Sequence, residues 1–299
     1  MMDAVAVASA LQRWSWQTPE GFTLRGWRSV PSGKPVLHFL HGTGLCGLTY
    51  WPLLQQLTGQ ADLFISDLHG HGDSEGQSPF VGWNRSADLA LAAWQAHAGA
   101  YGDVPVIAGG HSLGAVVSAL MLGNSNGAFA RGLLLDPVIM PPLMAGVGRL
   151  AECTGLYQRN AMVRRARLRR SHWASRQQAR DYLHQRGIFH GWSEPALDAY
   201  VDHALDHRPD GSCRLKCPPG IEADIFGSLP RRLWPTLERI AAPVDLVMGS
   251  QTYPFALKAA ARWQQRNRHL RLHRVDGDHC YMQDDPQGTA AVLKPLLAV

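Results

Sequence analysis

From residue 35 onward the chain repeats one rhythm. A short apolar run is followed by a turn of glycine or small polar residues, then by a longer stretch with apolar positions three and four apart. PVLHFLHG (35–42) reads as a strand closed by a glycine turn, and TYWPLLQQLTG (49–59) as an amphipathic helix ending at Gly59. ADLFISD (61–67), VPVIAGG (104–110), RGLLLD (131–136), PVDLVMG (243–249) and HLRLHRVD (269–276) read as further strands. Between them lie helical patterns around 84–98, at LGAVVSALML (113–122), at FALKAAARWQQRN (255–267) and from about 286 to the end. Strands apolar on both faces, joined by helical crossovers, predict an α/β protein with a mainly parallel sheet covered by helices on both faces. Ahead of them, LQRWSWQTP (11–19) and TLRGWRSV (23–30) alternate with period two, as an antiparallel hairpin at a sheet edge does.

The rhythm fails between residues 137 and 235. This stretch is rich in Arg, His and Trp, carries helical patterns at SRQQARDYLHQRG (175–187) and PALDAYVDHALDH (195–207), and has no strand-like run. PVIMPPLM (137–144) and KCPPG (216–220) punctuate it as proline-rich hinges. The expected organisation is a core domain formed by residues 1–136 and 236–299, with residues 137–235 inserted as a helical cap over the carboxyl ends of the strands.

Composition adds limits rather than direction. The 299 residues, 45% hydrophobic and 18% charged, suit a globular chain with a filled core. No run approaches the roughly 18 apolar residues of a membrane span. The N-terminal MMDAVAVASALQRW has a short Ala/Val run but an Asp and no Lys or Arg before it, unlike an export signal, so a cytoplasmic location is expected. The net charge of +5 is mild and largely local, because RNAMVRRARLRR (159–170) holds six arginines. That run is either an anion-binding surface or a solvated helix face. With no accompanying motif it does not predict a nucleic-acid partner. Five scattered cysteines make no disulfide framework. His203, His207, Cys213 and Cys217 lie close enough in sequence to suggest zinc, but their spacing is not that of a knuckle, and a structural role is expected.

Chemistry enters at Gly110-His111-Ser112-Leu113-Gly114, which fits G-x-S-x-G. A buried strand runs directly into it and a small-residue helix directly out. A sharp strand-to-helix turn strains the serine backbone, and glycines on either side leave room for it. The hydroxyl is then presented above the sheet at a helix N-terminus; the bland alternative is an ordinary N-cap serine. His41-Gly42-Thr43-Gly44 ends an earlier strand, where a glycine turn can aim the Thr43 N–H beside the Leu113 N–H as an oxyanion hole. His279, in VDGDHCYM after the last strand, follows the serine in chain order and is the expected general base.

With these residues in place, the chain resembles the α/β-hydrolase fold superfamily. HGTG, DLHGHGDS (67–74), GHSLG and GDHCYMQDDP match its landmarks in order, over essentially the whole length. The resemblance implies an eight-stranded sheet with a helical cap inserted after the sixth strand, and a mainly structural role for Asp67, Gly70 and Gly72. Relatives that open epoxides or displace halide carry an aspartate at the elbow. Ser112 disfavours both and suits acyl transfer to water. Most members place the triad acid after the seventh strand at Gly-x-x-Asp, which here reads Gly249-Ser250-Gln251-Thr252, and Thr252 supplies no anion. A subset places it after the sixth strand, which here is Asp136 in LLLDPV; a structural carboxylate in the turn toward the cap is the alternative.

The expectation is thus a serine hydrolase using Ser112, His279 and Asp136, with Thr43 and Leu113 as oxyanion donors and no metal or organic cofactor. Its substrate would be a small molecule, a carboxylic ester of a small or medium hydrophobic acyl group. Trp192, Ile225, Phe226 and Leu229 are the candidate acyl-pocket residues. A thioesterase or C–C bond hydrolase with the same triad, or a low-turnover ligand-binding homologue, are the alternatives.

Overall fold

In the computed structural model, which describes residues 10–125 and 127–298, the expected strands pair into one sheet. They are β1 (Gln12–Gln17), β2 (Thr23–Arg28), β3 (Val36–Leu40), β4 (Asp62–Ser66), β5 (Val106–His111) and β6 (Arg131–Leu135). After a long excursion carrying three short strands, β7 (His172–Trp173), β8 (Leu205–His207) and β9 (Cys213–Leu215), come β10 (Val244–Gly249) and β11 (Leu270–Val275). The eight-stranded sheet runs in the order β1-β2-β4-β3-β5-β6-β10-β11. The β1–β2 and β2–β4 pairs are antiparallel and every other pair is parallel. Every residue of β3, β4 and β10 is buried, which is why these strands read as unbroken apolar runs. β1 buries Trp14 alone, whose indole stacks on Phe64 with centroids 4.7 Å apart and donates to the Ile65 carbonyl at 3.0 Å. The N-terminal Ala/Val run lies almost wholly outside the described residues.

The topology fixes where a site can form. From β3 the chain steps to one side to make β4, then crosses back to the other side to make β5. The connections therefore part company above the carboxyl ends of β3 and β5, and a crevice opens there. Each neighbouring strand ends facing this crevice: β3 at His41, β5 at Ser112, β6 at Asp136, β10 at Ser250 and β11 toward His279.

Two local expectations change. Residues 49–59 do not form one helix; a 3-10 turn (Gly47–Tyr50), four α-helical residues (Trp51–Leu54) and a second 3-10 turn (Gln55–Leu57) follow one another. Pro52, with no N–H to donate, is the second residue of the middle piece and limits continuity with what precedes it. The 137–235 stretch is not free of strands, because β7, β9 and β8 form a small antiparallel sheet. Two or three residues per strand are too few to show a period of two. His203, His207, Cys213 and Cys217 occupy this part. His207 Nε2 donates to the Val201 carbonyl at 2.9 Å and Cys213 Sγ donates to that of Ser175 at 3.6 Å. No group of three or more His, Cys, Asp or Glu among the described residues is arranged to hold a metal ion.

The inserted stretch shares its core with the sheet. Ile221, Ile225, Leu233 and Trp234 pack in the cluster on one sheet face, and Trp173, Phe189, Trp192 and Tyr200 in that on the other. Among the described residues, its one separate nucleus is Val163, Ala166 and Ala223. No helix among the described residues is long and apolar enough to cross a membrane.

Several histidines are buried in this frame, and burial drives their pKa down from 6.5, to about 3 for His38 and about 4 for His71. Above pH 6.5 both are neutral, folded or unfolded. Below it the unfolded chain takes up protons that the folded chain refuses, so stability is lost as pH falls toward 4, by about 1.4 kcal/mol per pH unit for each such group. The urea midpoint at pH 5 is therefore expected to lie well below that at pH 7; equal midpoints would contradict burial of neutral histidines.

Candidate active site

β5 passes into the helix Leu113–Asn124 with no linker except Ser112, whose φ of 54° and ψ of −115° mark a strained turn. The turn fits because its flanks are glycines. A Cβ on Gly114 would stand 2.1 Å from the Leu40 carbonyl oxygen, and one on Gly110 would stand 2.7 Å from the same atom. The sheet ladder continues through this point, with Ser112 N–H donating to the Leu135 carbonyl at 3.0 Å. One strand further on, Asp136 N–H donates to the Val247 carbonyl at 2.8 Å.

Asp136 also has a positive φ, 42°, and is fully buried. Its Oδ1 accepts from His279 Nδ1 at 2.8 Å and from the Thr252 hydroxyl at 2.5 Å, and its Oδ2 accepts from Gly249 N–H at 2.8 Å. His279 Nε2 lies 2.9 Å from Ser112 Oγ. A carboxylate accepts only, so the proton sits on Nδ1 and the free Nε2 lone pair faces the serine hydroxyl. The loop bearing His279 crosses tightly over β10, because a Cβ on Gly249 would meet the Asp278 carbonyl oxygen at 2.3 Å.

A second set of contacts holds the other half of the site. The Gly42 N–H donates to the Tyr50 hydroxyl at 3.1 Å, and that hydroxyl donates to His111 Nδ1 at 2.6 Å. His111 Nε2 then donates to the backbone carbonyl of His279 at 2.9 Å. This chain of donors requires a neutral His111, and burial, aided by the nearby His279, pushes its pKa far down. The next glycine is held in the same manner, since Gly44 N–H donates to His71 Nε2 at 3.1 Å. Among the described residues the Thr43 and Leu113 N–H groups meet no acceptor, and both residues line the cavity that contains Ser112.

That cavity encloses about 430 Å³ and is walled mainly by apolar side chains, among them Trp83, Val138, Met140, Leu233 and Phe255. Of the four residues expected to form an acyl pocket, Ile225, Phe226 and Leu229 line it. Trp192 does not. It is buried edge-on against Phe189, 4.8 Å between centroids, and Tyr200, in the cluster on the opposite sheet face. Two charged side chains reach the cavity. Glu222 is matched by Arg169, which donates to it at 2.8 Å and to the Tyr200 hydroxyl at 2.8 Å. Among the described residues Arg149 has only the Pro230 carbonyl, at 3.3 Å.

Sequence reasoning passed over Tyr50, His111, Arg149 and the hydroxyl of Thr252. His111 stood in the pattern as the arbitrary x of G-x-S-x-G, and a histidine directly before the serine was the one available signal. Asp67 accepts from the Gly47 and Asp73 N–H groups at 2.7 and 2.9 Å, which agrees with a structural role for that segment.

A mainly parallel sheet with this strand order and with strand ends converging on an elbow serine defines an α/β-hydrolase. The family model described as "Alpha/beta hydrolase family" matches residues 39–292, and the chain belongs to that family. Solved structures are similar across nearly the whole chain. That of E-2-(acetamidomethylene)succinate hydrolase has a TM-score of 0.74 at 18% identity, covering 97% of this chain and 100% of that one. The thioesterase domain from the curacin biosynthetic pathway has a TM-score of 0.71 at 19% identity, covering 97% and 100%. An esterase from Mycobacterium tuberculosis has a TM-score of 0.67 at 19% identity, covering 97% and 92%. No curated protein sequence matches the chain.

The three donors around Asp136 lead to an expected outcome. Thr252→Val keeps the shape of the side chain and removes one donor from a buried carboxylate. It should cost about 1–3 kcal/mol of stability at pH 7, read from urea unfolding. A variant as stable as the parent would show that Gly249 and His279 suffice.

Proposed function

We propose that this protein is a serine hydrolase that cleaves carboxylic esters of small or medium hydrophobic acyl groups through an acyl-enzyme. One observation carries the reading: the unbroken line of hydrogen bonds from Ser112 Oγ through His279 to Asp136, opening into an apolar cavity. Ser112 Oγ attacks the acyl carbon while its proton passes to His279 Nε2, and the carbonyl electron pair moves onto oxygen. The Thr43 and Leu113 N–H groups receive that oxyanion, each such donor contributing about 3 kcal/mol. Collapse expels the alcohol oxygen, which takes the proton back from His279. Water then attacks the acyl-enzyme with His279 again as base, releasing the acid and restoring Ser112. Asp136 holds the imidazole in the tautomer this sequence needs and offsets its charge.

Residues 137–235 act in this reading as a cap whose Ile225, Phe226 and Leu229 receive the acyl chain. The esterase and thioesterase among the similar structures support acyl transfer as the chemistry. Identities under 20% do not choose between an oxygen and a sulfur leaving group.

A fluorophosphonate probe is expected to label the protein at Ser112, and Ser112→Ala to abolish both labelling and turnover of p-nitrophenyl esters. An unlabelled parent protein would instead make the chain a binding module. Asp136→Asn should lower kcat by about 10³–10⁴-fold with little change in KM, as loss of the orienting carboxylate does in other serine triads. An active variant would remove Asp136 from the triad. Turnover confined to acyl-CoA substrates would move the reading to a thioesterase.

A further inference from the structure

The helix Pro142–Cys153 is amphipathic in the inverted sense. Its two charged residues, Arg149 and Glu152, turn inward with Ala145 and Gly148, while Leu143, Val147 and Leu150 project into solvent, 81%, 63% and 70% exposed. These three are spaced four and three apart and so form one stripe. Met144 and Leu156 are exposed near them, and Met162 and Leu168 follow on the next helix and its end. Most of the exposed large apolar side chains among the described residues thus fall within 143–168. Scattered exposed leucines need no explanation, but a stripe on a helix that hides its charges does.

The same segment is strongly cationic. Residues 142–170 contain seven arginines and a single acidic residue, Glu152, in a chain whose net charge is +5. Arg169 turns inward to Glu222, and Arg170 lies over the rings of Tyr182 and Trp173. Arg159, Arg164, Arg165 and Arg167 are exposed and form no ion pair among the described residues. An apolar stripe followed in the chain by exposed arginines without ion pairs suits an acyl-chain boundary beneath anionic headgroups. A water-soluble protein partner with an acidic rim would match the arginines. It would not explain why the helix sends its own charges inward.

The surface continues into the cavity. Ala145, Arg149, Tyr157, Asn160 and Met162 of this segment line the space around Ser112, and Met162 is itself exposed. We propose that residues 142–168 form a peripheral docking surface for anionic lipid bilayers, with the leucine and valine stripe in the acyl boundary and the arginines among the headgroups. The mouth of the cavity then faces the membrane, where a hydrophobic substrate partitions. The docking does not depend on the serine chemistry.

The test uses the full chain in co-sedimentation with vesicles of phosphatidylcholine alone and of phosphatidylcholine with phosphatidylglycerol. The protein is expected to bind only the anionic vesicles, and to leave them as salt approaches 1 M, where the screening length falls to about 3 Å. Leu143→Glu/Val147→Glu/Leu150→Glu and Arg164→Glu/Arg165→Glu/Arg167→Glu should each weaken binding about tenfold or more. Both should keep the parent's circular dichroism and fluorophosphonate labelling at Ser112, which separates lost docking from a lost fold or site. Failure of the parent to bind anionic vesicles, or undiminished binding by both variants, overturns the proposal. So does a parent that sediments as a dimer without binding vesicles and becomes monomeric in the leucine and valine variant, since the stripe then meets a second copy of the chain.

Discussion

A carboxylate taken wholly out of water must find its hydrogen bonds inside the protein, and leaving it unpaired costs about 3–5 kcal/mol. Asp136 meets that demand with donors from two strand ends, Gly249 at the end of β10 and Thr252 just after it, and His279 after β11. Its own N–H is spent on β10, and the residue before it in the chain accepts from Ser112. The carboxyl ends of β6, β10 and β11 are therefore tied together at a single buried residue, and β5 joins them through the neighbouring Leu135 carbonyl. The left-handed backbone of Asp136 turns the chain out of the sheet while keeping the carboxylate in it.

The opposite wall has its own constraint. Gly42, Tyr50 and His111 form a line of donors that ends on the His279 carbonyl as acceptor and works in one direction only, and it requires an unprotonated His111. This line joins the glycine turn after β3 to the loop that carries His279. The imidazole is thus fixed twice, at its ring by Asp136 and at its backbone by His111. Two independent restraints on one residue leave it little freedom to rotate away from Ser112, which is the preorganisation that the proposed proton transfer needs.

The parts of this arrangement that were legible in the sequence are those fixed by backbone. β3, β4 and β10 announce themselves because both faces are buried, and the elbow because only glycines fit at 110 and 114. Asp136 stood out once the position after β10 held a threonine. The role of Thr252 itself was hidden, because a hydroxyl that supports a carboxylate from the next strand has no sequence pattern. Trp192 misled for a related reason. Nothing in the local sequence says which side of the sheet an inserted helix will cover, and its neighbours Phe189 and Tyr200 draw it away from Ser112. The strands β7–β9 were too short to show any period.

Stability is not spread evenly over the inserted residues. The helix Glu194–His203 buries Ala196, Leu197, Ala199, Tyr200 and Val201, and four of these, Ala196, Leu197, Tyr200 and Val201, belong to the cluster on one sheet face, so displacing it would uncover part of that core. The helix Pro142–Cys153 buries Gly148 alone, and the helix after it rests on Val163 and Ala166. Local opening costs least where the fewest apolar contacts are broken. The least costly opening is therefore the segment that carries Arg149 and Met162 to the cavity wall, while the segments that anchor the strand ends stay fixed. A site built this way can admit a ligand without disturbing Asp136, because its weakest and strongest parts lie on different stretches of the chain.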